Sequence, residues 1–175
     1  MSTGIVFTVV GDDKPGLVDK LAQIVANNGG NWLESRMNEL AGIFAAIIHV
    51  SVSETQLPGL RAALEALSCD ALRVVVAVEK RGVVADTCRL MQLNIIGNDR
   101  PGIVREVASA LAGHHINMRE MDTSVTSAPM SGDALFTATA TIEIPMALNV
   151  AELERQLEAI ADALTIDIDL EEAPR

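Results

Sequence analysis

Two stretches of this chain repeat each other. Gly11-Asp12-Asp13-Lys14-Pro15-Gly16-Leu17-Val18 returns as Gly97-Asn98-Asp99-Arg100-Pro101-Gly102-Ile103-Val104, 86 positions later in a chain of 175 residues. The match continues at the same offset: Leu21-Ala22 with Val107-Ala108, Asn31 with Asn117, Glu34 with Glu120. A period of half the chain means two copies of one domain rather than a solenoid of short units. The copies are expected at residues 1–84 and 85–175, with Arg81 to Thr87 as a short linker. Domains of roughly 85 residues are marginal alone. Each copy is therefore expected to pack on the other or on a partner, a homodimer being one form of this.

The patterning gives each copy the same order of elements. Ile5 to Val10 is β-branched and ends at Gly11, a strand signal. Asp13 and Pro15 mark a helix start, Asp as a cap and Pro in the first turn, where a missing N–H is harmless. Leu17, Val18, Leu21, Ile24 and Val25 follow at helical spacing until Asn28-Gly29-Gly30. Trp32 to Leu40 and Ile43 to Ser53 read as strands joined by a tight Ala41-Gly42 turn. Leu57, Leu60, Ala63, Leu64 and Leu67 make a second helix, and Arg73 to Val78 a fourth strand. The second copy repeats this with strands at Leu90 to Ile96, Met118 to Thr126, Ala134 to Ile144 and Ile166 to Leu170. Its helices carry Ile103 to Leu111 and Leu153 to Leu164. It differs by an insertion near Ser127 to Asp133. The order βαββαβ predicts an α+β fold: two ferredoxin-like domains, each an antiparallel sheet with two helices on one face.

The faces left free of helices differ. In the second copy Thr137, Thr139, Thr141 and Glu143 alternate with apolar residues, a polar outer side. In the first, the outer set is Ile43, Ala45, Ile47, His49 and Ser51. That face is apolar enough to be covered, by the other domain or by a second chain.

Composition excludes several classes. Thirteen Lys and Arg stand against 24 Asp and Glu, a formal charge of -11, and the aromatics are one Trp and three Phe. Nucleic-acid binding needs cations on phosphates and aromatics for stacking, so no direct contact with nucleic acid is expected. No apolar run reaches bilayer length and no leader is evident, so the expected location is cytoplasmic and no membrane contact is expected. Cys69 and Cys88 do not form a secreted framework and are expected to be reduced thiols. His114-His115 reads as a helix C-terminal pair rather than a metal site. His49 reads as a half-buried strand residue, Met130 as an exposed loop residue, and the acidic alternation from Asp167 to Glu172 as a solvated strand. No triad, metal cluster or phosphate loop appears. The glycines from Gly97 to Gly102 are too widely spaced for a dinucleotide fingerprint. No metal, cofactor or catalytic residue is expected, and the chain is not read as an enzyme.

The duplicated Gly-x-Asp-[Lys/Arg]-Pro-Gly-[Leu/Ile]-Val motif between strand one and helix one resembles the signature of ACT domains, ferredoxin-like regulatory modules that often bind amino acids. The resemblance covers essentially the whole chain. Among chains made of two such modules alone, it is similar to the glycine cleavage system transcriptional repressors, which lack a DNA-binding module and act on a transcriptional activator. The resemblance implies a small amino acid such as glycine as ligand and a protein partner such as that activator. A regulatory subunit or module of an amino-acid metabolic enzyme is the alternative. It also implies ligand contacts at Gly11, Asp13, Gly16 and Asn31, and at Gly97, Asp99, Gly102 and Asn117. The chemistry permits this. A helix N-terminus receives a carboxylate, glycine admits close backbone approach, Asp accepts from an ammonium group, and Asn offers an amide. Both Asp residues also fit a capping role, and both Asn residues a turn role.

Overall fold

The computed structural model describes residues 2–69, 71–78, 88–128 and 132–173. The chain divides into two compact units, residues 1–82 and 83–175. The expected linker Arg81 to Thr87, the boundary placed within it, and Met130 lie outside the described residues.

The first unit contains β1 (Ser2–Asp12), α1 (Leu17–Asn27), β2 (Asn31–Leu40), β3 (Ile43–Ser53), α2 (Leu57–Glu65) and β4 (Leu72–Val78). The second contains β5 (Cys88–Asn98), α3 (Ile103–Gly113), β6 (Asn117–Ser127), β7 (Ala134–Pro145), α4 (Val150–Leu164) and β8 (Ile166–Glu172). The sheets run β2-β3-β1-β4 and β6-β7-β5-β8, with every pairing antiparallel. Both halves are the expected βαββαβ fold.

Alternation along the central strands builds each core on one side of its sheet. Ile5, Phe7 and Val9 of β1 are buried with Ile48 and Val50 of β3, against Leu21 and Val25 of α1 and Leu60 and Leu64 of α2. In the second unit Leu93 and Ile95 meet Ala138, Ala140 and Ile142 beneath Val107, Leu111, Leu153 and Leu157. No polar residue is buried among the described residues. A fully buried side chain of the size of Phe7 or Leu60 is worth about 1.5–3 kcal/mol over an exposed one.

The duplication extends to irregularities. Each second strand carries a register shift at equivalent points, Trp32/Glu34 and Met118/Glu120. The hairpins differ as expected. Leu40 pairs with Ile43 around Ala41 and Gly42, at φ 53° and 82°. Positive φ at both central residues suits the right-handed twist of the flanking strands. In the second unit Thr126 pairs with Leu135, and the hairpin gains a further rung, Ser127 with Ala134, before its longer loop.

The helix-free faces carry the expected contrast. Ile43 and Ile47 are 46% and 55% exposed, with His49 and Ser51 half-buried beside them. On the second sheet the equivalent face presents Thr137, Thr139, Thr141 and Glu143, flanked by Asp167, Asp169 and Glu171 of β8.

Candidate ligand site

The motif lies where the first strand of each unit passes into its first helix, and the start of that helix corrects the sequence reading. Neither Asp13 nor Asp99 caps a helix. The N-cap residues are Gly16 and Gly102, left-handed at φ 87° and 105°, and no side chain caps either helix. The Asp residues are instead tied to the hairpin through backbone: Asp13 N–H donates to Gly42 O at 3.0 Å, and Asp99 N–H to Ala134 O at 2.8 Å. Both side chains are exposed. Pro15 precedes the helix rather than occupying its first turn.

The motif glycines divide into two kinds. A Cβ on Gly11 would stand 2.4 Å from Ala71 O, and one on Gly97 2.4 Å from Ile166 Cγ2. These two let β1 and β5 approach the start of the last strand of their sheets. Gly16 and Gly102 have open space around the Cβ position and are required by their positive φ.

In the first unit a cavity of about 270 Å³ opens at the motif, lined by Asp12, Lys14, Gly16, Lys20, Cys69 and Leu72 among others. Lys14 Nζ is 3.3 Å from Asp12 Oδ2, both exposed, so this pair is screened by water and weak. Asn31 belongs to a different feature, an open groove of about 540 Å³ between α1 and β2, lined by Val18, Ala22, Trp32, Ser35 and Met37 with it. That groove runs along α1 to its C-terminal end, past Val25, Ala26 and Gly30. Asn31 shares a rung with Ser51 and Gly4, at the opposite end of the sheet from Asp12 and Ile43, so the structure does not bring Asn31 together with the motif.

The second unit is not a copy in its chemistry. Asn98 replaces Asp12 and Arg100 replaces Lys14, so the acidic partner is gone. Arg100 Nη2 is buried without a hydrogen-bond partner. In the first turn of α3, Arg105 pairs with Glu106, whose hydrogen bond and then charge raise the Arg105 pKa. Asn117 donates through Nδ2 to Glu143 Oε2 at 2.9 Å, and Arg119 lies 3.7 Å from the same carboxylate. Ser51 stands opposite Asn31, where Glu143 stands opposite Asn117, so no carboxylate faces Asn31 across its rung. Gly97 lines a separate cavity of about 340 Å³ with Asp162, Thr165 and Asp167.

Sequence reading missed Lys20 and Arg100. Lys20 had a local signal in its place four residues after Gly16, and in the structure its N–H closes the first helical turn on Gly16 O at 3.0 Å. Arg100 had one in the change from Asp12 to Asn98. His114 ends α3 and hydrogen-bonds Gln156 Oε1 at 2.6 Å, as expected of a helix C-terminal residue. Both cysteines are free and exposed. No group of three or more His, Cys, Asp or Glu able to hold a metal occurs among the described residues, and no described helix is long and apolar enough to cross a membrane.

Family models of the ACT domain match residues 3–76 and 91–162. A UPF0237 protein of Methanococcus maripaludis is 34% identical over 78 residues, which are 45% of this chain and 73% of that protein. The crystal structure of an unknown protein from Galdieria sulphuraria is 29% identical, with a TM-score of 0.89 over 99% of this chain and 100% of that one. The crystal structure of a candidate glycine cleavage system transcriptional repressor is 18% identical, with a TM-score of 0.71, covering 100% of this chain and 99% of that one. The last likeness is one of fold.

Proposed function

The chain belongs to the ACT-domain family, one domain in each unit, and from that premise we propose that it is an amino-acid-responsive cytoplasmic regulator acting through protein contact. The ligand is a small amino acid, with glycine the first candidate, and the first unit is its receptor. The observation that carries this is the start of α1. A helix that begins at a left-handed glycine without a side-chain cap leaves first-turn N–H groups and a partial positive charge open to a carboxylate. Lys14 and Lys20 beside it have the same sign. The exposed Asp13 carboxylate, which caps no helix, is available to an ammonium group, whereas Asn31, beyond the far end of α1, lies outside this receptor. The second unit is less suited, because Glu106 stands in the first turn of α3 where Lys20 stands in α1, a carboxylate in place of an ammonium group.

The partner is a protein, for which a transcriptional activator is the first candidate. That direction comes from the candidate repressor sharing this two-unit layout end to end, and the charge of -11 favours contact with protein over DNA. The ligand must bind the free and partner-bound states with different affinity, since otherwise it shifts nothing. Coupling of this kind is typically about 1–3 kcal/mol. This reading assigns the chain no catalytic step, cofactor or metal.

Calorimetry of the full chain with glycine, alanine and serine tests the reading. The expected result is saturable heat with one of them. Lys20→Ala, in the lining of the motif cavity, should weaken that heat, and Asn117→Ala should leave it. Absence of heat with every amino acid, in folded protein, would refute the reading. Affinity capture with and without the bound amino acid then identifies the partner: an activator supports the transcriptional arm, a metabolic enzyme the alternative.

A further inference from the structure

We propose that the helix-free face of the first unit's sheet is a self-docking surface, on which two copies of this chain meet sheet on sheet. The proposal is independent of ligand binding. Val10, Leu40, Ile43, Ile47 and Val75 all point to this side, and their exposures run from 46% for Ile43 to 78% for Leu40. The strand register sets them in adjoining rows. Val75, Thr8, Ile47 and Arg36 form one row, and Arg73, Val10, Ala45 and Asn38 the next. Antiparallel sheets in water put polar residues on their free face, as the second unit does. Here the two central strands present Val10, Ala45, Ile43 and Ile47, with the charged Arg36 and Arg73 confined to the edge strands, and a grouped apolar patch of this kind marks a contact surface.

The size suits a dimer. Four strands about 4.8 Å apart, at about 3.3 Å per residue from Ile43 to Ser51, give roughly 500 Å² in projection. Two such faces together, with side-chain relief added, reach the roughly 1,000 Å² or more of a specific interface.

Charge selects the occupant. Residues 1–82 hold seven Lys and Arg against nine Asp and Glu, whereas residues 83–175 hold six against fifteen. Repulsion between copies is therefore concentrated in the second unit, and the first unit is close to neutral. On the face itself Glu34 and Arg36 pair at 3.1 Å near the edge. A basic partner would be drawn to the acidic second unit instead. Of the two sheet faces a second copy offers, one carries Asp167, Asp169 and Glu171. Pressing that one onto an apolar sheet would desolvate three carboxylates without counter-ions. The other, the same apolar and near-neutral face, matches itself, as an isologous two-fold interface requires.

Sedimentation velocity of the full chain over a concentration series tests this, with Ile47→Glu as the disrupting variant and Thr139→Glu, on the second unit's polar face, as control. The expected result is a wild-type dimer, a control that dimerises equally, and an Ile47→Glu chain whose dimer is weakened roughly a hundredfold or more with unchanged far-ultraviolet dichroism. A wild type that is monomeric throughout, or an Ile47→Glu chain that still dimerises, overturns the proposal. Should Ile47→Glu fail to fold, hydroxyl-radical footprinting of the wild type decides. Protection of Ile47 and Val75 that grows with concentration supports the proposal. No protection, or protection equal at all concentrations, overturns it, the latter because the cover would then come from within the chain.

Discussion

Gly11 and Gly16 belong to one motif for different physical reasons, and substitution separates them. Gly11→Ala drives a Cβ into the Ala71 carbonyl and is expected to cost about 2–3 kcal/mol. Gly16→Ala meets nothing but must hold φ 87°, at about 1–2 kcal/mol. Asn tolerates that conformation, so Gly16→Asn should recover part of the loss, whereas Gly11→Asn should worsen its own. Urea unfolding of the four variants checks the pattern. The same conformation occurs where the copies diverge: Gly29 has φ 67°, and its counterpart His115 has φ 56°. His115→Gly relieves the strain of a side chain there but adds backbone freedom to the unfolded state. The expected net gain is about 0.5–1 kcal/mol, read as a higher urea midpoint with an unchanged slope.

Among the elements, helix starts show how far local pattern carries. Asn149 caps α4, its side chain accepting from Ala151 N–H at 3.1 Å, and Asn149→Ala should cost about 1 kcal/mol. Asp13→Ala should change stability by less than about 0.5 kcal/mol, as for an exposed side chain outside any cap, while weakening the amino-acid heat. A thermal melt beside a calorimetric titration separates the two effects, and a destabilisation equal to that of Asn149→Ala would return Asp13 to a structural role. Strands and helices were legible because Ile, Val and Leu fall at period two or 3.6 with Gly and Asn at the breaks. The cap at α1 was not. Asp followed by Pro is the usual signature of a helix start, but here the chain turns once more through Gly16, and only backbone angles reveal that. The candidate site was legible as a position, the strand-to-helix junction. Which glycine serves packing, and which Asn is already engaged, depends on cross-strand neighbours such as Ala71 and Glu143 that lie far off in sequence.

At the scale of the molecule, charge is distributed as unevenly as hydrophobicity. On β8, Asp167, Asp169 and Glu171 share one side of the strand, opposite the uncharged Ile96, Asn94 and Gln92 of β5. Such a stripe repels itself, and salt screens it. Raising ionic strength from about 10 mM to about 200 mM should slow amide exchange in β8 more than in β1, which hydrogen-exchange mass spectrometry resolves strand by strand. A response equal in both strands would show that the acidic stripe is not what salt relieves. The two exteriors were able to part so far because a pleated strand writes to its two sides separately. Ile95 and Ile168 answer to the interior, while Asn94 and Asp169 answer to whatever lies outside. A gene that doubles such a sheet inherits a spare outer surface, free to change its chemistry one letter in two without disturbing the packing beneath.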